Sequence, residues 1–100
     1  MFVFDDLVGI DDRGMQTLLR EISTDALIIA LKGSNEELRD KVFKNMSQRA
    51  AEQLREDLEV RGPVRLSEVE AQQREILKLA RRLAEEGQIA LGGKGEDAYV

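Results

Sequence analysis

Apolar residues recur along this chain at helical spacing, and glycine, proline and capping residues separate the runs. The opening "MFVFDDLVGI" sets four apolar residues before an acidic turn and Gly9, so it reads as a helix of one or two turns or an apolar strap on a neighbour. Asp11 or Asp12 is an N-cap for a helix whose Met15, Leu18, Leu19 and Ile22 follow i, i+3, i+4, i+7 spacing. Ser23 and Thr24 cap "DALIIALK", which is apolar on most sides and is therefore expected at the centre. Gly33 is expected to end that helix as a left-handed C-cap, with Lys32 suiting the negative helix end. Ser34 and Glu37 have capping-box spacing ahead of a stripe of Leu38, Val42, Phe43 and Met46. Ser47 caps the next helix, and Gly62–Pro63 breaks it. Ser67 and Glu70 form a further capping box before a long helix that runs to about Glu86 and stops at Gly87. Its stripe is Val69, Ile76, Leu77, Ala80, Leu83 and Ala84. The pattern predicts an all-α domain of six helices, one short N-terminal helix plus five. The short joints suggest the superhelical, armadillo-like packing of helical repeats.

Composition narrows the possible roles. One hundred residues make one domain with one modest core. Aromatic residues at 4% and a single proline weigh against a β-sandwich or barrel. A net charge of −5 argues against nucleic acid and anionic lipid as main partners. The longest apolar run, "ALIIAL" at 26–31, is far short of a membrane span, so no direct membrane insertion is expected. No secretory signal is visible, because acidic Asp5 and Asp6 follow "MFVF" at once. Cysteine and histidine are both absent, which removes thiolate sites, the commonest metal ligand and the commonest general base. The acidic pairs Asp5–Asp6, Asp11–Asp12 and Glu56–Asp57 are sequence neighbours that do not face each other on a helix. "LGGKG" lacks the spacing and setting of a phosphate loop. No catalytic site, metal site or cofactor is expected, and the chain does not read as an enzyme.

Charge is concentrated on the helix after Ser47. At about 100° per residue from Ala50, Ala51, Leu54 and Leu58 share one apolar stripe, while Arg49, Glu52, Glu56 and Glu59 fall opposite it. Glu52 and Glu56 are like charges one turn apart, a pairing that costs a helix a few tenths of a kcal/mol. A solvated back and a face read by a partner both fit this pattern. Lys32 likewise fits a plain helix-end charge, and Arg65 fits an exposed joint.

A resemblance separates the two. "MFVF", "ALKG", "NMSQRAA", "RGPVRLS", "ARRLAEEG" and "EDAYV", in this order and spacing, resemble the C-terminal domain of the bacterial flagellar motor switch protein FliG. The resemblance covers essentially the whole chain and implies an all-α fold of six helices following the MFVF segment. It implies a rotor component of the switch complex (C-ring), at the cytoplasmic face of the inner membrane in the flagellar basal body. Its charged face would engage the cytoplasmic loop of the stator A subunit (MotA-type), generate torque and take part in switching rotation direction in chemotaxis. Neighbouring FliG subunits and FliM are the other partners implied.

The family's stator-contact residues fall on Lys32, Arg49, Glu56, Asp57 and Arg65. The family typically has two aspartates at the acidic pair; Glu56 keeps the charge and adds one methylene of reach. The MFVF hinge falls on Met1, Phe2, Val3 and Phe4, which suggests a piece of a longer chain. The division expected is a hinge segment with the first short helix over 1–10, a charge-bearing helical domain over 11–88 and a loose tail over 89–100. The competing reading is a helical protein–protein adaptor with no torque role, its charges serving only solubility.

Overall fold

The computed structural model describes residues 3–91. A 3-10 helix, Phe4–Gly9, leads into α1 (Asp12–Arg20), α2 (Thr24–Lys32), α3 (Glu36–Lys44), α4 (Gln48–Arg61) and α5 (Leu66–Glu85). The count of six and the absence of strands among the described residues match the sequence pattern.

The first helix owes its form to its apolar spacing. Three residues per turn bring positions i and i+3 into line. Phe4, Leu7 and Ile10 therefore form one apolar edge, all three buried. The amides of Asp6 and Ile10 donate to the carbonyls of Val3 and Leu7 at 2.9 and 3.0 Å, and Asp6 Oδ2 accepts from the Val3 amide. Phe4, assigned by resemblance to a hinge, is thus anchored in the core, while Met1 and Phe2 lie outside the described residues.

α2 is central, as its composition predicts. It packs on α5 and α4, burying Leu27, Ile28, Ala30 and Leu31. α3 packs on the 3-10 helix, α1 and α4, while α5 packs on the 3-10 helix and α1 as well as α2. Asp11, Ser23 and Ser47 each cap their helix through a side-chain oxygen, as expected. Gly62 and Gly87 end the two longest helices with φ of 74° and 77°, conformations that side-chain-bearing residues rarely adopt.

Four expectations are corrected. Gly33 is not left-handed, at φ −105°. It is needed for close approach, because a Cβ there would stand 2.5 Å from Val69 Cγ1 on α5. α3 is capped by Asn35 rather than Ser34; Asn35 Oδ1 accepts from the Leu38 amide, and its own amide donates to Asp5 Oδ1. The Ser34 hydroxyl instead turns back to the Leu31 carbonyl. α5 starts ahead of Ser67, with Arg65 at the N-cap and no side-chain cap. Ile89, read as the first residue of a loose tail, is buried against the core.

A polar cluster joins α1 to α3. Asn45 Nδ2 donates to Asp12 Oδ1 at 3.1 Å, and Lys41 Nζ reaches the same oxygen at 3.1 Å. The Asn45 hydrogen bond, then Lys41, hold the Asp12 carboxyl below the usual carboxylate range. A carboxyl lowered on folding contributes stability above its unfolded pKa and loses it as the pH falls through its folded pKa. Asp12→Asn should therefore be less stable than the parent at neutral pH, with the difference closing in strong acid. Urea midpoints of the two proteins across an acid titration check this; a difference that stays constant with pH would exclude the charged tie as its source.

Candidate functional site

α4 presents its charges because its opposite stripe is committed. Ala51, Leu54 and Leu58 are buried, which turns Arg49, Glu52, Glu56 and Glu59 outward. Arg49 sits in the first turn of α4, a turn with no acidic residue, and Arg65 sits at the N-cap of α5. Both are cations at the positive end of a helix, where a charge of that sign is unfavourable by about 0.3–1 kcal/mol. Glu56, Asp57 and Glu59 lie in the C-terminal half of α4, preceded by Arg55 and followed by Arg61 in the last turn.

Some charges elsewhere in the fold are paired. Asp12 meets Lys41 and Lys44, Asp25 meets Arg61 at 2.8 Å, and Arg82 lies between Glu21 and Glu86. Among the described residues, Lys32, Arg49, Glu56, Asp57 and Arg65 form no ion pair. Asp57 accepts one hydrogen bond, from Gln53 Nε2 at 3.1 Å. Arg49, Glu56 and Arg65 are exposed.

Lys32 is the member of this set with a tertiary role. Its Nζ donates to the Leu58 carbonyl at 2.7 Å, one of the last four carbonyls of α4 that the helix itself leaves without a donor. The plain helix-end reading of Lys32 is therefore met on a neighbouring helix and not on its own. α2 is instead closed by Arg39, whose Nε donates to the Leu31 carbonyl at 2.9 Å and whose Nη2 reaches the Lys32 carbonyl.

The five residues divide in space. Lys32 opens into a groove of about 300 Å³ between α3 and α4, which also receives Arg39, Phe43 and Arg55. Asp57 does not line that groove, because the residues α4 turns toward it are Arg55, Leu58 and Glu59. Arg49 is nine residues before Leu58, about 13 Å along the axis at 1.5 Å per residue. The set thus spans most of the length of α4 rather than forming a pocket. Sequence reasoning passed over Arg39 and Arg55, since stacking of the Arg55 guanidinium 4.6 Å above the Phe43 ring joins two helices. No group of three or more carboxylates clusters to hold a metal ion among the described residues.

Comparison with known proteins gives one consistent family. Residues 1–91 match the family model described as the FliG C-terminal domain. The flagellar motor switch protein FliG of Pseudomonas aeruginosa is 65% identical over 100 residues, covering 100% of this chain and 30% of the relative. That of Vibrio cholerae is 54% identical, covering 100% of this chain and 28% of the relative. The chain thus spans under a third of the length of these relatives. A crystal structure of part of FliG from H. pylori superposes with a TM-score of 0.89 at 38% identity, covering 92% of this chain and 40% of the other. Full-length FliG from Aquifex aeolicus superposes at 0.83, with 39% identity, over 87% of this chain and 27% of the other. With the family model matched over residues 1–91, a matching fold and this level of identity along its whole length, the chain belongs to the family of FliG C-terminal domains.

Proposed function

We propose that this domain is the torque-bearing part of a flagellar rotor, acting by contact and not by catalysis. In this reading Lys32, Arg49, Glu56, Asp57 and Arg65 meet the cytoplasmic loop of a MotA-type stator subunit. The observation that carries it is the placement of Arg49 and Arg65 at helix N-termini, exposed and without an ion-pair partner among the described residues. Neither position stabilises its own helix, which leaves both charges available to a partner.

The strength of the contacts suits the task. Exposed ion pairs are worth about 0.2–1 kcal/mol each, and salt confines them to roughly 8 Å. One charge crossing a membrane at 100 mV yields about 2.3 kcal/mol. Several weak contacts along α4 are therefore made and broken within the energy of each step, whereas one buried apolar lock would stall the rotor. Met1–Phe4 is proposed as the hinge, with Phe4 its fixed end. Neighbouring subunits and FliM are the further partners of a ring-mounted domain at the cytoplasmic face of the inner membrane. No helix among the described residues is long and apolar enough to cross a membrane.

Arg49→Glu combined with Asp57→Arg, in the full protein and in a flagellated host, should abolish or sharply reduce swimming while leaving flagella assembled. Reversal of the facing charges in the stator loop should restore it for specific pairs. Unchanged motility in the double reversal would remove the proposal. The adaptor reading predicts that outcome, together with loss of binding from single apolar surface substitutions.

A further inference from the structure

Three cations converge on the groove between α3 and α4, and each is held by a neutral group. Lys32 Nζ rests on the Leu58 carbonyl at 2.7 Å, Arg39 Nε on the Leu31 carbonyl at 2.9 Å, and the Arg55 guanidinium over the Phe43 ring at 4.6 Å. A neutral anchor fixes the position of a charged head without cancelling its charge. Donors remain to spare, because an ammonium carries three and a guanidinium five. Among the described residues none of the three forms an ion pair.

Acids stand around them but do not neutralise them. Glu36, Asp40, Glu59 and Arg55 line the same groove and are exposed, whereas Lys32, Arg39 and Phe43 are half-buried and Leu58 is buried. The groove thus has Lys32, Arg39, Phe43 and Leu58 in its floor and three acids with Arg55 at its rim. A rim carboxylate reaching a cation through water gains little, since exposed pairs are worth about 0–1 kcal/mol. A carboxylate brought in by another protein would exclude that water and form shorter, charge-assisted bonds to heads already held in place. A volume of about 300 Å³ suits one or two side chains.

We infer that this groove receives a single aspartate or glutamate side chain from a partner protein, on a segment whose neighbouring basic residue meets the rim acids. The inference rests on the proposed stator contact for the partner's identity. It adds Arg39, Phe43 and Arg55 to that contact, with Lys32 as the shared residue. The charge order it asks for, acid on the floor and base at the rim, is the complement of the groove.

The probe is a capped peptide, arginine–alanine–glutamate–alanine–arginine, titrated into the full chain at low salt and followed by amide and side-chain NMR shifts. Saturable shifts are expected at Lys32, Arg39, Phe43 and Arg55. The same peptide with glutamine for glutamate should bind about tenfold more weakly, the step from a charge-assisted to a neutral hydrogen bond. Arg55→Leu keeps an apolar neighbour for Phe43 and drops the charge; it should weaken the glutamate peptide several-fold with the remaining spectrum unchanged. Equal titrations by the two peptides, or glutamate-dependent shifts confined to other surfaces, would overturn the inference. Failure of the Arg49 and Asp57 reversals in swimming cells, with this titration intact, would remove the stator reading and leave the groove.

Discussion

Leu31→Ala is expected to lower the stability of the domain by about 2–5 kcal/mol, the range for removing a fully enclosed leucine. Leu31 has no exposed surface and lies on α2, the helix that both α4 and α5 pack against. Structure on both sides of the side chain limits how far the site can collapse, which favours the upper part of that range. For a domain of this size the loss corresponds to a fall in melting temperature of roughly 4–8 °C per kcal/mol. The site should suffer with the fold. The Leu31 carbonyl accepts from Arg39 Nε, from the Ser34 hydroxyl and from the Ser34 amide, and the next residue is Lys32. Loosening this turn frees both cations from their anchors. Leu66→Ala is the matched comparison, since Leu66 is 70% exposed and should change stability by no more than about 0.5 kcal/mol. Similar urea midpoints for the two variants would contradict the central placement of α2.

The sequence showed which faces are buried more clearly than where helices begin. Leu27, Ile28 and Leu31 on α2, and Leu54 and Leu58 on α4, are legible because an apolar stripe needs only the 3.6-residue period. Helix starts depend on more. Ser34 and Asn35 are adjacent and both able to cap, and the choice goes to Asn35, whose amide Asp5 holds from the N-terminal helix. That contact spans thirty residues and leaves no local trace. The first helix is too short for its apolar spacing to separate three residues per turn from 3.6. At Gly33 the local pattern suggests a left-handed turn, whereas tertiary packing against Val69 is what demands glycine.

The same division runs through the site. Positions for Lys32, Arg49, Glu56, Asp57 and Arg65 came from a family resemblance, and wheel arithmetic alone placed Arg49 and Glu56 outward. Neither source pointed to the groove. Arg55 looks like an ordinary surface charge until α3 brings the Phe43 ring beneath it, and Arg39 looks like any helix arginine until the end of α2 is seen to need a donor. Cations held by neutral partners are invisible to charge patterning, which searches for opposite signs.

Gly33→Ala tests the close approach of α2 to α5, and the expected result is a loss of about 1–3 kcal/mol that a second truncation relieves. The backbone does not object, because φ at Gly33 is −105°, and alanine would even gain about 0.4–1 kcal/mol by restricting the unfolded chain. The obstacle is α5. A Cβ at this position meets Val69 Cγ1 at 2.5 Å and Gln73 Nε2 at 3.0 Å. Val69 is buried and stiff about χ1, so it has little room to turn away. Gln73 is tied to the Ala30 carbonyl at 3.0 Å, so moving it gives up a hydrogen bond between the same two helices. α2 and α5 must then separate, which displaces Lys32 at the end of one helix relative to Arg65 at the start of the other. Val69→Ala alone leaves a gap that the added methyl of alanine at 33 partly fills, so the two substitutions together should cost less than the sum of each. A double-mutant cycle on urea midpoints should give a coupling of about 0.5–3 kcal/mol, the range for residues in contact. Additive effects would mean that α2 is held off α5 by something other than this valine, and the close approach would no longer explain why position 33 is glycine.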